Sequence, residues 1–476
     1  MQSENAKFIR MTTEPIPKLI CTLAVPTIIS MLVTALYNIA DTYFVGRIGT
    51  EATAGVGLVF PIMAIIQAFG FFFGQGSGNY ISRSLGAKRY DRAEYMASTG
   101  SFFALIFGCL ITGFGLLFRA GVLYVLGARE GLVAPMTVAY AADYISIILC
   151  GAPFMCLSCV LNNQLRFQGN AFFAMIGLVT GAILNVALDP LFIFALHLEV
   201  KGAALATAVS QAVSCGLLYI GTLRSDSLKI HLKNFRPSFY YMKNIAIGGL
   251  PSLFRQGLAS LATLCLNAAA GASVEASLSD AAIAAFSVVT KIMMFAFSAL
   301  LGFGQAFQPV CGFNYGAGRY DRVRRGYVFC LKTGISFLLA ASTLGFLLAP
   351  KLVALFRDDP HVIAIGSIAM RCQCCTFTLM AVVTMTNMLY QNIGRVVGAT
   401  LLAVARQGLM FIPVVLILPR VFPEPIWGVY LAQPTADLFA FTLAVFLAVR
   451  MYRELKRREE EAAAVPAPTG TTADRS

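Results

Sequence analysis

Charge is scarce in this chain. Lys, Arg, Asp and Glu make up 12% of its 476 residues, about half of what an ordinary soluble protein carries, which excludes a water-exposed surface over most of the molecule. Histidine occurs three times, as His197, His231 and His361, all in loops, which leaves little from which to build a zinc or redox site. No G-x-x-x-x-G-K-[ST] loop is present, so the phosphate cradle of a nucleotide-driven machine is missing. The 12 cysteines lie almost all in apolar stretches, among them Cys156, Cys159, Cys372, Cys374 and Cys375. There they read as small hydrophobic groups, with no disulfide or metal role.

Apolar sequence is what the chain has in quantity: 58% of it is hydrophobic. Runs such as 19–44, 203–223 and 331–348 supply the roughly 20 residues needed to cross a hydrocarbon core about 30 Å thick. Lipid offers the backbone no outside partner, so each crossing must be a helix. The pattern predicts an all-α, polytopic membrane protein. Its twelve spans fall near 17–44, 53–79, 94–118, 133–160, 168–194, 202–223, 244–270, 281–308, 326–348, 361–389, 396–418 and 427–449. The first span follows the polar segment Met1 to Glu14 and is too long and poorly flanked for a cleaved signal peptide.

The net charge of +13 is sorted by side. Numbering the loops after each span, the N-terminus, the even-numbered loops and the tail to Arg458 hold 23 Lys and Arg, against 7 in the odd-numbered loops. Both termini are therefore expected in the cytoplasm, with the basic loops facing anionic lipid and no nucleic acid implied.

A seven-residue signature occurs twice, as Gly86-Ala87-Lys88-Arg89-Tyr90-Asp91-Arg92 and Gly316-Ala317-Gly318-Arg319-Tyr320-Asp321-Arg322, matching at six positions with an offset of 230. The pairs Gly74-Gln75 and Gly304-Gln305 keep the same offset, so half of the chain is duplicated. Both copies follow an even number of spans, which makes the halves parallel repeats about an axis along the membrane normal, the plan of a secondary transporter with its pathway between them. The domains then read as an N-terminal segment 1–15, a six-helix bundle 16–223, a polar linker 224–243, a second six-helix bundle 244–450, and a tail 451–476. The tail is expected to be a helix end followed by disorder.

Two acids sit inside spans, Asp41 and Asp189. An ionised Asp costs about 2.5–3.5 kcal/mol there, so an intramembrane acid is a functional candidate by default. Asp41 precedes Arg47 by six residues, Asp189 precedes His197 by eight, and Thr207 follows Lys201 by six. At 1.5 Å per residue all three lie about 9–12 Å below one surface. Asn185 lies one turn before Asp189 on the same helix face. Carboxylate, amide and hydroxyl oxygens from spans one, five and six are thus placed to converge, a donor set suited to a monovalent cation or to a proton held between two acids. Pro26, fifteen residues before Asp41 in span one, is a candidate hinge because it removes a backbone donor.

The runs Tyr37-Asn38-Ile39-Ala40-Asp41-Thr42-Tyr43-Phe44-Val45-Gly46 and Asn185-Val186-Ala187-Leu188-Asp189-Pro190 carry a resemblance. So do Gly202-Ala203-Ala204-Leu205-Ala206-Thr207 and Gln308-Pro309 ahead of Asn314-Tyr315-Gly316-Ala317. In this order over twelve spans the sequence resembles the multidrug and toxic compound extrusion (MATE) transporters from about residue 15 to 450. The resemblance implies two six-helix bundles around a central cavity, and export of organic cations driven by inward sodium or protons, with no other cofactor and no enzymatic step. It places a cation site at Asp41, Asn185, Asp189 and Thr207, with Tyr144 as a further member. The protein is expected to act as a monomer in the cell inner membrane. One cation crossing 100 mV inward releases about 2.3 kcal/mol, enough for a roughly fifty-fold substrate gradient.

Tyr37, Asn38, Gln67, Asn162, Met293 and Gln391 are candidates to line the substrate cavity, while the aromatic run Phe69, Phe71, Phe72 and Phe73 reads as lipid-facing or packed between helices. In the second half Lys291, Arg371, Arg406 and Asp437 lie within spans and are expected to pair, and Arg255 to snorkel toward the cytoplasm. The alternative is a flippase for a lipid-linked oligosaccharide, which needs a cavity rich in cations to hold a pyrophosphate; Lys291, Arg371 and Arg406 would supply them, and Asp41 and Asp189 oppose it. A membrane-embedded enzyme would need a nucleophile and base that the sequence does not pair.

Overall fold

The structure is a computed structural model that describes residues 2–128, 134–224 and 228–464. These are helical nearly throughout, as an apolar chain must be when its own backbone supplies every hydrogen bond. Ten helices, together with one bent pair, are long and apolar enough to cross a membrane. They are span one (Ile16–Gly46), two (Thr50–Gly86), three (Tyr90–Leu117), four (Pro135–Phe167), five (Ala171–Ala195), six (Glu199–Arg224), eight (Ser279–Gly316), nine (Tyr320–Phe356), eleven (Val396–Val421) and twelve, which starts at Pro425. Span ten is the pair Pro360–Phe377 and Met380–Ile393, bent by 53°. The remaining expected span, seven, is the continuous helix Phe239–Ala272, whose apolar run is interrupted by Arg255 and Gln256. The 12 cysteines are all free thiols.

The helices outrun the apolar stretches on the face that carries both termini. Span two continues to Gly86 and span eight to Gly316, so each signature copy is a tight turn between two long helices. The two turns repeat the same backbone bonds: Arg89 N–H donates to Ser84 and Arg319 N–H to Asn314, each at 2.8 Å. Lys88 (φ 57°) and Gly318 (φ 72°), the one position at which the signatures differ, take the left-handed conformation that such a helix end requires.

Spans one to six pack among themselves, as do spans seven to twelve, and the two groups meet where span one lies on span eight and span two on spans seven and eight. Small residues permit the close approach: a β-carbon on Gly302 would stand 2.6 Å from the Ile28 Cα, and Thr27 Oγ1 donates to the Gly302 carbonyl at 2.7 Å. On the terminal face the packing is tight, with Phe73 to Ser82 of span two and Gly302 to Asn314 of span eight buried without a break. Toward the opposite face it loosens, and residues 31–44 of span one include no buried side chain. Phe69, Phe72 and Phe73 pack with Phe107 of span three, at ring separations of 4.1–6.3 Å.

Three boundaries differ from the sequence reading. The N-terminal segment is a helix, Gln2–Thr13, tied down by the second signature: Arg322 Nη2 donates to the Glu14 carbonyl at 2.6 Å and Asn314 Nδ2 to that of Met11 at 3.0 Å. The linker is strapped over spans three and four, with Leu228 N–H on Gln168 at 3.0 Å and Arg236 N–H on Thr99 at 3.2 Å, and span seven starts at Phe239. Span twelve runs on to Ala464, past the expected bundle limit at Arg450. Ion pairs one turn apart hold that extension, Arg458 on Glu454 at 3.1 Å and Arg457 on Glu461 at 3.4 Å, and Arg324 reaches Glu459 at 3.1 Å. The Ala/Pro/Thr stretch expected to be disordered lies outside the described residues from 465 onward.

Candidate functional site

Near the far end of span one, Asp41 comes within electrostatic reach of Asp189 in span five. Asp189 is wholly buried and Asn185, one turn earlier, nearly so. The Asn185 Nδ2 donates to Thr207 Oγ1 of span six at 3.4 Å. Tyr144 of span four is also fully buried, feels both carboxyls, and lies in hydrogen-bond reach of Thr207. Its hydroxyl is 3.6 Å from the Met63 sulfur. The structure therefore brings together all five residues, from four helices.

What this cluster lacks is donors. Asp41 Oδ1, Asn185 Oδ1 and both Asp189 carboxyl oxygens are buried without a hydrogen-bond partner. A buried polar atom left so is costly, by about 1–3 kcal/mol and more when charged, and carboxylate and amide oxygens are hard donors. The two carboxyls carry up to two negative charges, and no basic side chain is bonded to either of them among the described residues. Immediately after Asp189, Pro190 opens a π-helical turn, Leu191–Ala195, in which Leu196 N–H reaches back five residues to Leu191 at 3.0 Å. Such turns gather at functional sites.

A separate cavity of about 290 Å³ lies in the second bundle, walled by spans seven, eight, ten, eleven and twelve. Of the six candidate lining residues, Met293 faces it, and Gln67 reaches its edge by accepting from Gln256 Nε2 at 3.1 Å. Tyr37 is half-buried and feels the Asp41 charge one turn away, while Asn38 is exposed, its amide bonded to the Thr34 carbonyl at 2.9 Å. Asn162 and Gln391 do not line the cavity. Their amides tie helices together, on the Ala174 carbonyl at 2.9 Å and the Gly248 carbonyl at 2.7 Å.

The four-membered charge cluster expected in the second bundle reduces to one pair. Arg406 Nε meets Asp437 Oδ1 at 3.2 Å, with Gln433 donating to the same oxygen at 2.8 Å. A π-helical turn, Ala405–Met410, carries Arg406. Lys291 and Arg371 are exposed on the bundle surface, Arg371 lying over the Phe346 ring at 5.7 Å. Arg255 does not snorkel: it is half-buried in the cavity wall.

Sequence reasoning missed the polar junction between the bundles. Gln75 Nε2 donates to Asn163 Oδ1 at 3.0 Å and accepts from Gln308 Nε2 at 3.3 Å. Arg166, counted above as a topology-setting loop residue, is buried here, bonded to Asn163 Oδ1 at 2.6 Å and to Gln305 Oε1. The repeated Gly-Gln pair was its signal, since Gln75 and Gln305 are both members.

Comparison with known proteins agrees with this plan. The MatE family model matches residues 26–191 and 257–417. The multidrug export protein MepA of Staphylococcus haemolyticus strain JCSC1435 is 28% identical over 440 residues, covering 91% of this chain and 93% of the relative. A solved structure of the outward-facing conformation of a multidrug resistance MATE family transporter superposes with a TM-score of 0.88 at 28% identity, over 94% of this chain and 98% of that one. A crystal structure of MATE in the straight conformation gives 0.87 at the same identity, over 94% and 99%. With two six-helix bundles and a family model matched over most of its length, the chain belongs to the MatE family of multidrug efflux transporters.

Proposed function

We propose that the chain exports lipophilic organic cations and drugs in exchange for an inward proton or sodium ion, by alternating access, as a monomer in the cell inner membrane with both termini in the cytoplasm. The observation that carries this reading is the group of buried, partnerless oxygens on Asp41, Asn185 and Asp189. An unbalanced pair of acids at that depth is tolerated when a positive ion visits it. The Lys and Arg bias supports the orientation, and with it the tight terminal face is a closed cytoplasmic gate and the present state is outward-facing.

The mechanism follows from competition for one negative field. A substrate cation near Asp41 and a coupling ion on Asp41 and Asp189 repel each other, so arrival of one favours departure of the other. Asn185 and Thr207 supply neutral oxygens that replace part of a sodium hydration shell, and Tyr144 closes the site against the bundle core. No resident cofactor is required.

The test is extrusion of ethidium from vesicles under separately imposed sodium and pH gradients, for wild type, Asp41→Asn and Asp189→Asn. Wild type should respond to one of the gradients, and each variant should lose at least tenfold of that driven rate. Undiminished efflux in both variants would remove the assigned site.

A further inference from the structure

The cavity of the second bundle contains a charge with no partner among the described residues. Asp437 is matched by Arg406. Arg255, in the same wall, has no hydrogen bond and no ion pair among the described residues, and no carboxyl lies within reach of it. Arg166, at the junction of the bundles, feels the Arg255 charge, and neither guanidinium is paired with an acid among the described residues. Arg166 is held by the neutral oxygens of Asn163 and Gln305, and its Nε is buried and unpartnered. Arginine stays charged in such a wall, where a lysine would shed its proton.

The rest of the chamber is built for an apolar body. Met293, Met294, Phe297, Leu266 and Phe411 are among its lining residues, and methionine side chains adapt to ligands of different outline. Phe297 is also stacked under Arg406 at 5.1 Å, which leaves one side of that ring for a ligand.

From these two features we propose that the cavity is a binding chamber for amphiphilic organic anions and zwitterions, with Arg255 holding the acidic group of a small molecule and Arg166 reinforcing the field behind it. The guanidinium fork matches a carboxylate by two parallel hydrogen bonds. The two bundles then divide recognition by sign: positive groups are drawn to Asp41 and Asp189, negative groups to Arg255. This adds a substrate class to the export reading and rests on it only for the direction of movement, since binding at equilibrium is measured without transport.

A matched pair of dyes tests it: rhodamine 110, which carries a free carboxyl, and rhodamine 123, its methyl ester. Fluorescence polarisation with the intact protein in phosphatidylcholine vesicles gives the affinity for each. Arg255→Gln should weaken rhodamine 110 at least tenfold and rhodamine 123 less than threefold, and Arg255→Lys should restore part of the loss. Equal effects of Arg255→Gln on both dyes, or on neither, would overturn the proposal. So would displacement of rhodamine 110 on adding phosphatidylglycerol to the vesicles, which would give the chamber to a lipid headgroup. These affinities are read at equilibrium with no ion gradient, whereas the antiport reading is read from ethidium export in Asp41→Asn, so failure of the one is distinguishable from failure of the other.

Discussion

Gly86 lies against the carbonyl of Phe313, and Gly316 lies against the carbonyl of Arg83, the residue 230 positions before Phe313. The contact is its own mirror through the duplication, and it seals the terminal face with backbone on backbone. A β-carbon at either glycine has nowhere to go while that face is closed, because the obstructing atoms are main-chain. Gly86→Ala and Gly316→Ala should each raise the energy of the closed gate by about 1–3 kcal/mol and shift the state populations by about 5–150-fold. The reporter is the native Cys311, fully buried beside this contact. In inverted vesicles its labelling by an impermeant maleimide, read by peptide mass, should rise at least fivefold in either variant. Unchanged labelling with unchanged efflux would show that the gate does not close here.

The signature turns make a second expectation, through the one position at which they differ. Gly318 adopts its left-handed conformation freely, whereas Lys88 is strained in the same place and is partly compensated by resting its ammonium over the Phe8 ring at 4.7 Å. Gly318→Val should therefore cost about 1–2 kcal/mol. Lys88→Gly should come out within about 1 kcal/mol of neutral, since relief of strain and loss of the cation–π contact are of similar size. Chemical unfolding in detergent measures both, and a Gly318→Val protein as stable as wild type would contradict the argument.

The fold was legible because lipid leaves so few choices: apolar length, the sorting of Lys and Arg, and the repeated signature prescribe helices, their number and their pairing. Asp41, Asp189 and Thr207 were legible because depth arithmetic puts them on one level, and Asn185 because it lies one turn from Asp189 on the same helix face; the family resemblance joined the four into one site. Arg166 was hidden because hydropathy ends span four at residue 160, while the helix itself continues to Phe167 and carries the arginine into a junction that exists only between bundles. The pairing of Arg406 with Asp437, without Lys291 and Arg371, depends on which way each helix is rotated and on a π-helical turn, and uniformly apolar helices give no period from which rotation can be read. The helical tail to Ala464 was underestimated because its stability comes from charged pairs one turn apart and from Arg324, not from composition.

That tail gives a pH dependence. Glu454 is ion-paired with Arg395 and Arg458; partial burial opposes its charge, but the two arginines outweigh it and hold its carboxyl below the usual carboxylate range. A carboxyl lowered in the folded state contributes stability above its unfolded value near 4.3 and loses it as pH falls through the folded value. Glu454→Gln should thus lower thermal stability at pH 7 by an amount equivalent to about 1 kcal/mol, and the difference from wild type should shrink to nothing on acidification below about pH 4. A difference that stays constant down to pH 3 would mean that the loss is one of packing.

Pro26 divides span one into two arms of different attachment. On the terminal side Leu19, Ile20 and Leu23 are buried, and Thr27, directly after the proline, is bonded to Gly302 of span eight; on the far side residues 31–44 are only partly covered, and this arm carries Asp41. The helix passes through Pro26 without a break, yet a proline leaves the carbonyl four residues earlier, at Thr22, without its usual donor. Neutralising Asp41 removes the charge that holds the far arm near the coupling ion, and the arm bends most cheaply where one bond is already absent. Pro26→Ala restores that bond, favouring the straight form by about 0.5–1.5 kcal/mol, and removes the ring that disfavours it. Ion-driven ethidium efflux should fall at least tenfold while equilibrium ethidium binding changes less than threefold. Efflux equal to wild type would reject a hinge at Pro26, and a parallel loss of binding would make the proline a packing residue, because a hinge governs the passage between states and leaves affinity within each state alone.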